Sequence, residues 1–359
     1  MHIEFLGRLA GVEFQLNKLL PGEKVPWLSN FVDWYGYGRV DLENPFQIGF
    51  LVTMKFIPIV SDLGIAWLIY EITKKAKFAI IYLISPFSWY VSSLWGQYDP
   101  TGAFFALAAF WALDKKWKLL SPALLMISIL IKPTSLILIP FYFYLLWKSL
   151  KGNFLKLAAS LILPIIIFWI TTVPYTHKNP FEFARYDLTR ILFEKSEPRV
   201  SVNSFNMWRI FTGDKPINST SKLFFVSWET TGYILVLLVN SIAIWYCERK
   251  KKQANSFWMG LTLVSVGTWM VMTGMLERYL FLGMVAGLIA SAVNPRLLKY
   301  WIGVSLIFWI NLFYHWWIPE GFQTLKELLL WQNGIITNAL SLLMLILIGK
   351  MIYVQSRTS

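Results

Sequence analysis

"SSLWGQYDPTGAFFALAAFWALDKKWK", residues 92–118, decides the fold. One apolar run ends in a Gly-Gln-Tyr-Asp-Pro cluster, and a second starts at once and ends among lysines. The polar cluster and the basic cluster lie at opposite ends of one short apolar segment. Basic residues that return at every second connection between apolar segments are the pattern that orients membrane helices.

The rest of the chain repeats this arrangement. Its mean hydropathy is +0.52, 56% of its 359 residues are hydrophobic and only 15% are charged, against about 25% in soluble domains. Its 19 Trp and 16 Tyr fit rings anchored at the two membrane interfaces. The formal charge of +13 is spread over short connections, so it speaks for membrane orientation and not for nucleic acid. One cysteine, Cys247, excludes a disulfide framework and a cysteine-rich metal site. No Gly-rich phosphate loop follows a strand.

Apolar segments run over 46–71, 78–95, 102–113, 119–131, 134–147, 157–174, 230–247, 256–274, 279–293, 300–316 and 334–353. The expected fold is therefore an all-α integral membrane protein, a polytopic helical bundle of about eleven membrane segments. Lys74, Lys75 and Lys77 follow the first segment, Lys115, Lys116 and Lys118 the third, and Lys148, Lys151 and Lys156 the fifth. Arg249 to Lys252 follow the seventh, Arg296 and Lys299 the ninth, and Lys350 and Arg357 the last. These connections are expected to be cytoplasmic, with 354–359 as a cytoplasmic tail. Residues 1–45 and the loop 175–229 are expected on the outer side. No apolar span precedes 1–45, so a first transmembrane helix is expected upstream of Met1. In 175–229, Phe181, Ala184, Leu188, Ile191 and Leu192 share one helical face, which fits a helix on the membrane surface or a packing helix.

The segments 102–113, 119–131 and 134–147 reach only about 20 Å, against a hydrocarbon core of about 30 Å. Their outer tips must end inside the protein, around a cavity, because bare polar backbone is not tolerated in lipid. Gln97, Asp99 and Lys132 lie at such tips. Charged groups inside membrane segments are costly, and Lys55, Asp62, Asp99, Lys132, Glu277 and Arg278 are the ones present. Lys55 and Asp62 read as structural, each ion-paired to another helix. Asp99 reads as a cap for a helix starting at Thr101, or as a ligand-facing carboxylate. Lys132 and Arg278 read as a shared anion site. Their plainer alternatives are a snorkelling lysine and a local Glu277–Arg278 pair. Asn203, Asn206, Trp208 and Arg209 suit a sugar ring, and equally a helix re-entering the interface.

In order, "KFIPIVSDLGIAWLIYEITKK", "SPFSWYVSSLWGQYDP", "LLMISILIKPTSLILIPFYFYLL", "SVNSFNMWRIFTG" and "GMLERYLF" resemble the GT-C fold glycosyltransferases. The nearest likeness is to the mannosyl- and glucosyltransferase-like members that use polyprenyl-phosphate sugars, over about residues 45–316. The resemblance implies a GT-C-like transmembrane domain over 46–353. It implies hexose transfer from a polyprenyl-phosphate donor to a lipid, glycan or protein acceptor at the outer side of the bilayer, with no metal, other cofactor or nucleic acid. On these motifs Lys132 and Arg278 would meet the donor phosphate. Gln97, Asn203, Asn206, Trp208 and Glu277 would line the substrate. The catalytic base would be Asp33, Asp41 or Glu43, or a carboxylate upstream of Met1, and Asp99 is a further catalytic candidate. Relatives often carry His where this chain has Leu276. The rival readings are a multi-pass transporter or lipid flippase, and a non-catalytic relative.

Overall fold

Pro86, Pro133 and Pro295 set three of the breaks between helices. In the computed structural model, which describes residues 45–173, 180–182, 185, 198–213, 215–250, 256–315 and 323–357, helix α1 spans Pro45–Thr73. Helix α2, Ala76–Ile84, then runs back and stops where Ser85 is extended ahead of Pro86. A residue before proline is driven out of the helical region, so the break is written in the sequence. A short turn, Pro86–Trp89, leads into a π-helical turn, Tyr90–Leu94. Gly96, at φ +70°, then reverses the chain into α3, Asp99–Asp114.

Helix α4, Leu120–Ile131, ends in the same way as α2. Lys132 is extended before Pro133, and a 3₁₀ turn, Pro133–Leu138, leads into α5, Ile139–Ser149. Next come α6, Phe154–Thr172, and α7, Met207–Thr212. A two-stranded hairpin follows, with β1 Lys222–Leu223 and β2 Val226–Ser227. It feeds α8, Trp228–Arg249. The chain closes with α9, Ser256–Val271; a 3₁₀ turn, Glu277–Leu280; α10, Phe281–Val293; α11, Leu298–His315; and α12, Gln323–Arg357.

Helix occurs in every one of the apolar runs read from the sequence. Among the described residues, five stretches are long and apolar enough to cross a membrane: Lys55–Thr73, Phe154–Thr172, Trp228–Arg249, Pro295–Tyr314 and Gly334–Arg357. The fold is that of an all-α membrane protein. Its outer faces carry what lipid requires: α6 exposes Leu155, Ile162, Ile165 and Ile170, and α8 exposes Ile234, Leu237 and Leu238. The shorter helices α9 and α10 are almost wholly buried and form the middle of the bundle.

The basic turns gather at one end. Lys75 donates to the Ala292 carbonyl at 2.6 Å, and Lys118 to the Ser149 carbonyl at 2.5 Å. Lys148 pairs with Glu248 at 2.5 Å. Here one expectation is corrected. Residues 354–357 read as a tail, but they extend α12. Gln355 is buried and bonds both Tyr246 and Asn294, so its amide has partners that a solvated tail would not need. The segment 1–44 and most of the amphipathic stretch 181–192 lie outside the described residues, and Asp33, Asp41 and Glu43 lie there with them.

Candidate functional site

At the other end of the bundle, three chain breaks meet. The start of α3 brings Asp99, the α4 break brings Lys132, and the turn before α10 brings Glu277 and Arg278. Each break is short because its helix is short, so the polar ends converge inside protein. Lys132 Nζ lies 2.8 Å from Asp99 Oδ2, and Arg278 Nε lies 3.4 Å from the same oxygen. Arg278 Nη1 also meets Glu277 Oε1 at 3.2 Å. Two carboxylates and two cations thus form one charge-balanced cluster. Asp99 and Glu277 are buried, Glu277 fully so at 0% exposure.

Aromatic rings complete the first contacts. Lys132 Nζ lies 5.3 Å from the Tyr279 ring centre, and Arg278 Cζ lies 5.2 Å from that of Trp95 and 5.5 Å from that of Tyr279. Ring faces attract cations, and the attraction strengthens where water is excluded. Beside the cluster is a cavity of about 40 Å³ bounded by Asp99, Lys132, Ser135, Trp269, Arg278 and Tyr279. That volume admits a few water molecules.

The neighbours explain the placement. Ser128 Oγ donates to the Gly102 carbonyl at 2.7 Å and contacts Ser135 Oγ at 2.8 Å, which pins the α4 break against α3. Gly102 has no room for a side chain, because a Cβ there would stand 2.9 Å from Lys132 Cβ. Trp269 Nε1 donates to the Leu276 carbonyl at 2.9 Å and holds the turn that presents Glu277 and Arg278.

Two expectations about charges change here. Asp99 is not a cap for a helix starting at Thr101. The helix starts at Asp99, its cap position is Tyr98, whose side chain does not cap the helix, and the Asp99 carboxylate turns to Lys132. An anion in the first turn still meets the helix dipole favourably, so the site suits a carboxylate without capping. Asp62 was expected in an ion pair. Its partners are hydroxyls: Tyr82 donates to it at 2.5 Å and Ser92 bonds it as well. Next to it, Ser61 donates to Thr101 at 3.0 Å, tying α1 to α3 just below the cluster. Lys55 runs along the backbone of Gly96, with its Cγ 3.5 Å from where a Cβ would stand.

The sequence suggests that Lys132 and Arg278 share an anionic ligand; in the structure the anion between them is the protein's own Asp99. Gln97 lies half-buried one turn away, its backbone N–H donating to the Val91 carbonyl at 2.9 Å. Asn203, Asn206 and Trp208 form a separate structural knot. The Asn206 side chain caps α7, accepting from the backbone N–H groups of Trp208 and Arg209. Trp208 Nε1 donates to the Val271 carbonyl at 2.8 Å. Asn311 Nδ2 donates to the Asn203 carbonyl at 2.6 Å, while Asn311 Oδ1 accepts from the Phe205 N–H. Asn206 and Trp208 are buried, and the bonds that tie this knot run to backbone groups and to Asn311. Sequence reasoning missed Trp269, Ser128 and Ser135. Each sits inside an apolar run, where a lone Trp or Ser carries no local signal. Among the described residues no group of three His, Cys, Asp or Glu side chains is placed to hold a metal ion.

No protein-family model matches the chain, and a search of curated proteins finds no significant match.

Proposed function

We propose that the chain is an integral membrane glycosyltransferase of GT-C-like fold. It would move a hexose from a polyprenyl-phosphate carrier to a lipid, glycan or protein acceptor at the outer face. The observation that carries this reading is the buried Asp99–Lys132–Arg278–Glu277 cluster at the joined ends of short helices. A lipid-borne phosphate lies at the level of the membrane surface, and the short helices would bring Lys132 and Arg278, balanced at rest by Asp99 and Glu277, toward it. In the transfer, the acceptor oxygen bonds the anomeric carbon and the carbon–oxygen bond to phosphate breaks. The electron pair leaves on the phosphate oxygen, where Lys132 and Arg278 can stabilise it.

Asp99 then serves as a positioning group. Its carboxylate holds the two cations in register until phosphate takes its place. The acceptor proton goes to a different carboxylate, for which Asp33 and Asp41 are the candidates.

The test is transfer of label from a polyprenyl-phosphate hexose in reconstituted membranes. Wild type should transfer, and Lys132→Met and Arg278→Lys should each lose tenfold or more, about 1.4 kcal/mol in the barrier. Their circular dichroism should match wild type. No transfer by wild type with any polyprenyl-phosphate hexose would reject the enzyme reading.

The balance of charge in the cluster favours one second reading, a purely structural lock between α3, α4 and α10. In that case Lys132→Met would lower thermal stability and leave any transfer rate intact.

A further inference from the structure

The hairpin ahead of α8 has the wrong residues for its turn. Lys222 pairs with Ser227 and Leu223 with Val226, which leaves a two-residue loop of Phe224 and Phe225. Phe224 has φ +58°. A two-residue hairpin loop with positive φ at its first position normally takes Gly there, because a side chain crowds the neighbouring backbone. A bulky residue held at positive φ is a strained feature that asks for a reason.

The fold does not supply that reason. Phe224 is 87% exposed and Phe225 is 98% exposed, the two most exposed large apolar residues described. Neither ring packs on the protein, so neither is retained for the core. Water is a poor setting for both, since removing an apolar ring from water is favourable.

Position supplies what they lack. The hairpin runs straight into α8, whose first residue is Trp228 and whose 22 residues are long and apolar enough to span a bilayer. Phe225 is three residues from Trp228, so the tip lies within about 10 Å of the start of that span. The headgroup region on each side of the hydrocarbon is about 5–8 Å deep. Lys222 stands at the base of the tip. Aromatic rings beside a basic residue are the composition of the membrane interface.

We propose that the Phe224–Phe225 tip inserts into the leaflet at which α8 begins and anchors the segment 198–227 to the membrane surface. The occupant of this aromatic tip is lipid. Burial of the two rings in the interface offsets the strain at Phe224 and fixes the height of α7 and the hairpin above the bilayer. This inference is independent of the proposed enzyme activity.

The experiment uses the full chain in phosphatidylcholine liposomes. Cys247→Ala removes the one native thiol, Phe225→Cys is labelled with an environment-sensitive fluorophore, and Thr220→Cys, at the exposed base of the hairpin, is the companion. The label at position 225 should emit to the blue of that at 220. Lipids carrying a spin label near the headgroup should quench it more than lipids labelled near the chain end. A nitroxide at Phe224→Cys should collide more with oxygen than with an aqueous nickel chelate, and this second probe covers the case in which the first variant misfolds. Water-like emission at 225 with no lipid quenching overturns the proposal. So does a blue shift that follows protein density in the liposome without lipid quenching, because that outcome assigns the tip to a second copy of the chain.

Discussion

Asp99 shows how little a residue's identity says without its partners. In sequence it sits where a cap belongs, and Asn caps as well as Asp. In the structure its carboxylate is an anion that both Lys132 and Arg278 reach. Asp99→Asn keeps the shape and removes the charge, so two largely buried cations lose their shared partner. Breaking a buried pair from one side costs about 3–5 kcal/mol. We expect Asp99→Asn to lower the melting temperature markedly in detergent, and Asp99→Asn with Lys132→Met to recover part of the loss. Glu277→Gln is a contrast. Oε1 carries the contact to Arg278, and Oε2 has no hydrogen-bond partner among the described residues. A Gln can keep the first contact, so its cost should be nearer 1 kcal/mol, one net hydrogen bond. Equal melting losses in the two variants would contradict the geometry. The residues of the cluster were legible because charge inside a membrane segment is rare. Their pairing was not, because Asp99, Lys132 and Arg278 are far apart in sequence and nothing local says which ends meet.

The helix breaks were the most legible features among the elements. Pro86 and Pro133 end α2 and α4 by forcing the residue before each of them, Ser85 and Lys132, out of the helix. The close packing of α3 on α4 was not legible, since Gly102 looks like any glycine in an apolar run. A Cβ there would stand 2.9 Å from Lys132 Cβ, so Gly102→Ala must push α4 away or swing Lys132 off Asp99. Overpacking of this size costs about 1–3 kcal/mol. The expected signature is a lower melting temperature together with lost transfer. An Ala variant that melts like wild type would mean that the α4 break yields freely. The Asn206 knot teaches the converse. The Asn206 amide and the Trp208 indole, which suited a sugar ring, hold α7 against α9, because buried backbone groups at helix ends need partners first.

For the whole molecule, hydropathy and the basic turns gave the class of fold, since lipid forces every apolar run into helix. The three-dimensional order of the helices was beyond a single sequence, because nothing in an apolar face names its neighbour. The two-ended arrangement makes a direct prediction. In a Cys247→Ala background, thiols at Thr220 and Lys151, both exposed, should react with an impermeant reagent from opposite sides of a sealed vesicle. Reaction of both from one side would refute the alternation of basic and polar ends.

The spans are also unequal in length. The apolar stretch of α6 has 19 residues and that of α12 has 24, which is about 28 Å against 36 Å when upright. A bilayer that matches one cannot match the other without tilt or local thinning, at a modest cost for each ångström of mismatch. Acyl-chain length therefore becomes a control variable for this protein. In long-chain lipid α6 falls short first, and its amides should exchange with solvent sooner than those of α12. In shorter-chain lipid the burden passes to α12, which has to lean.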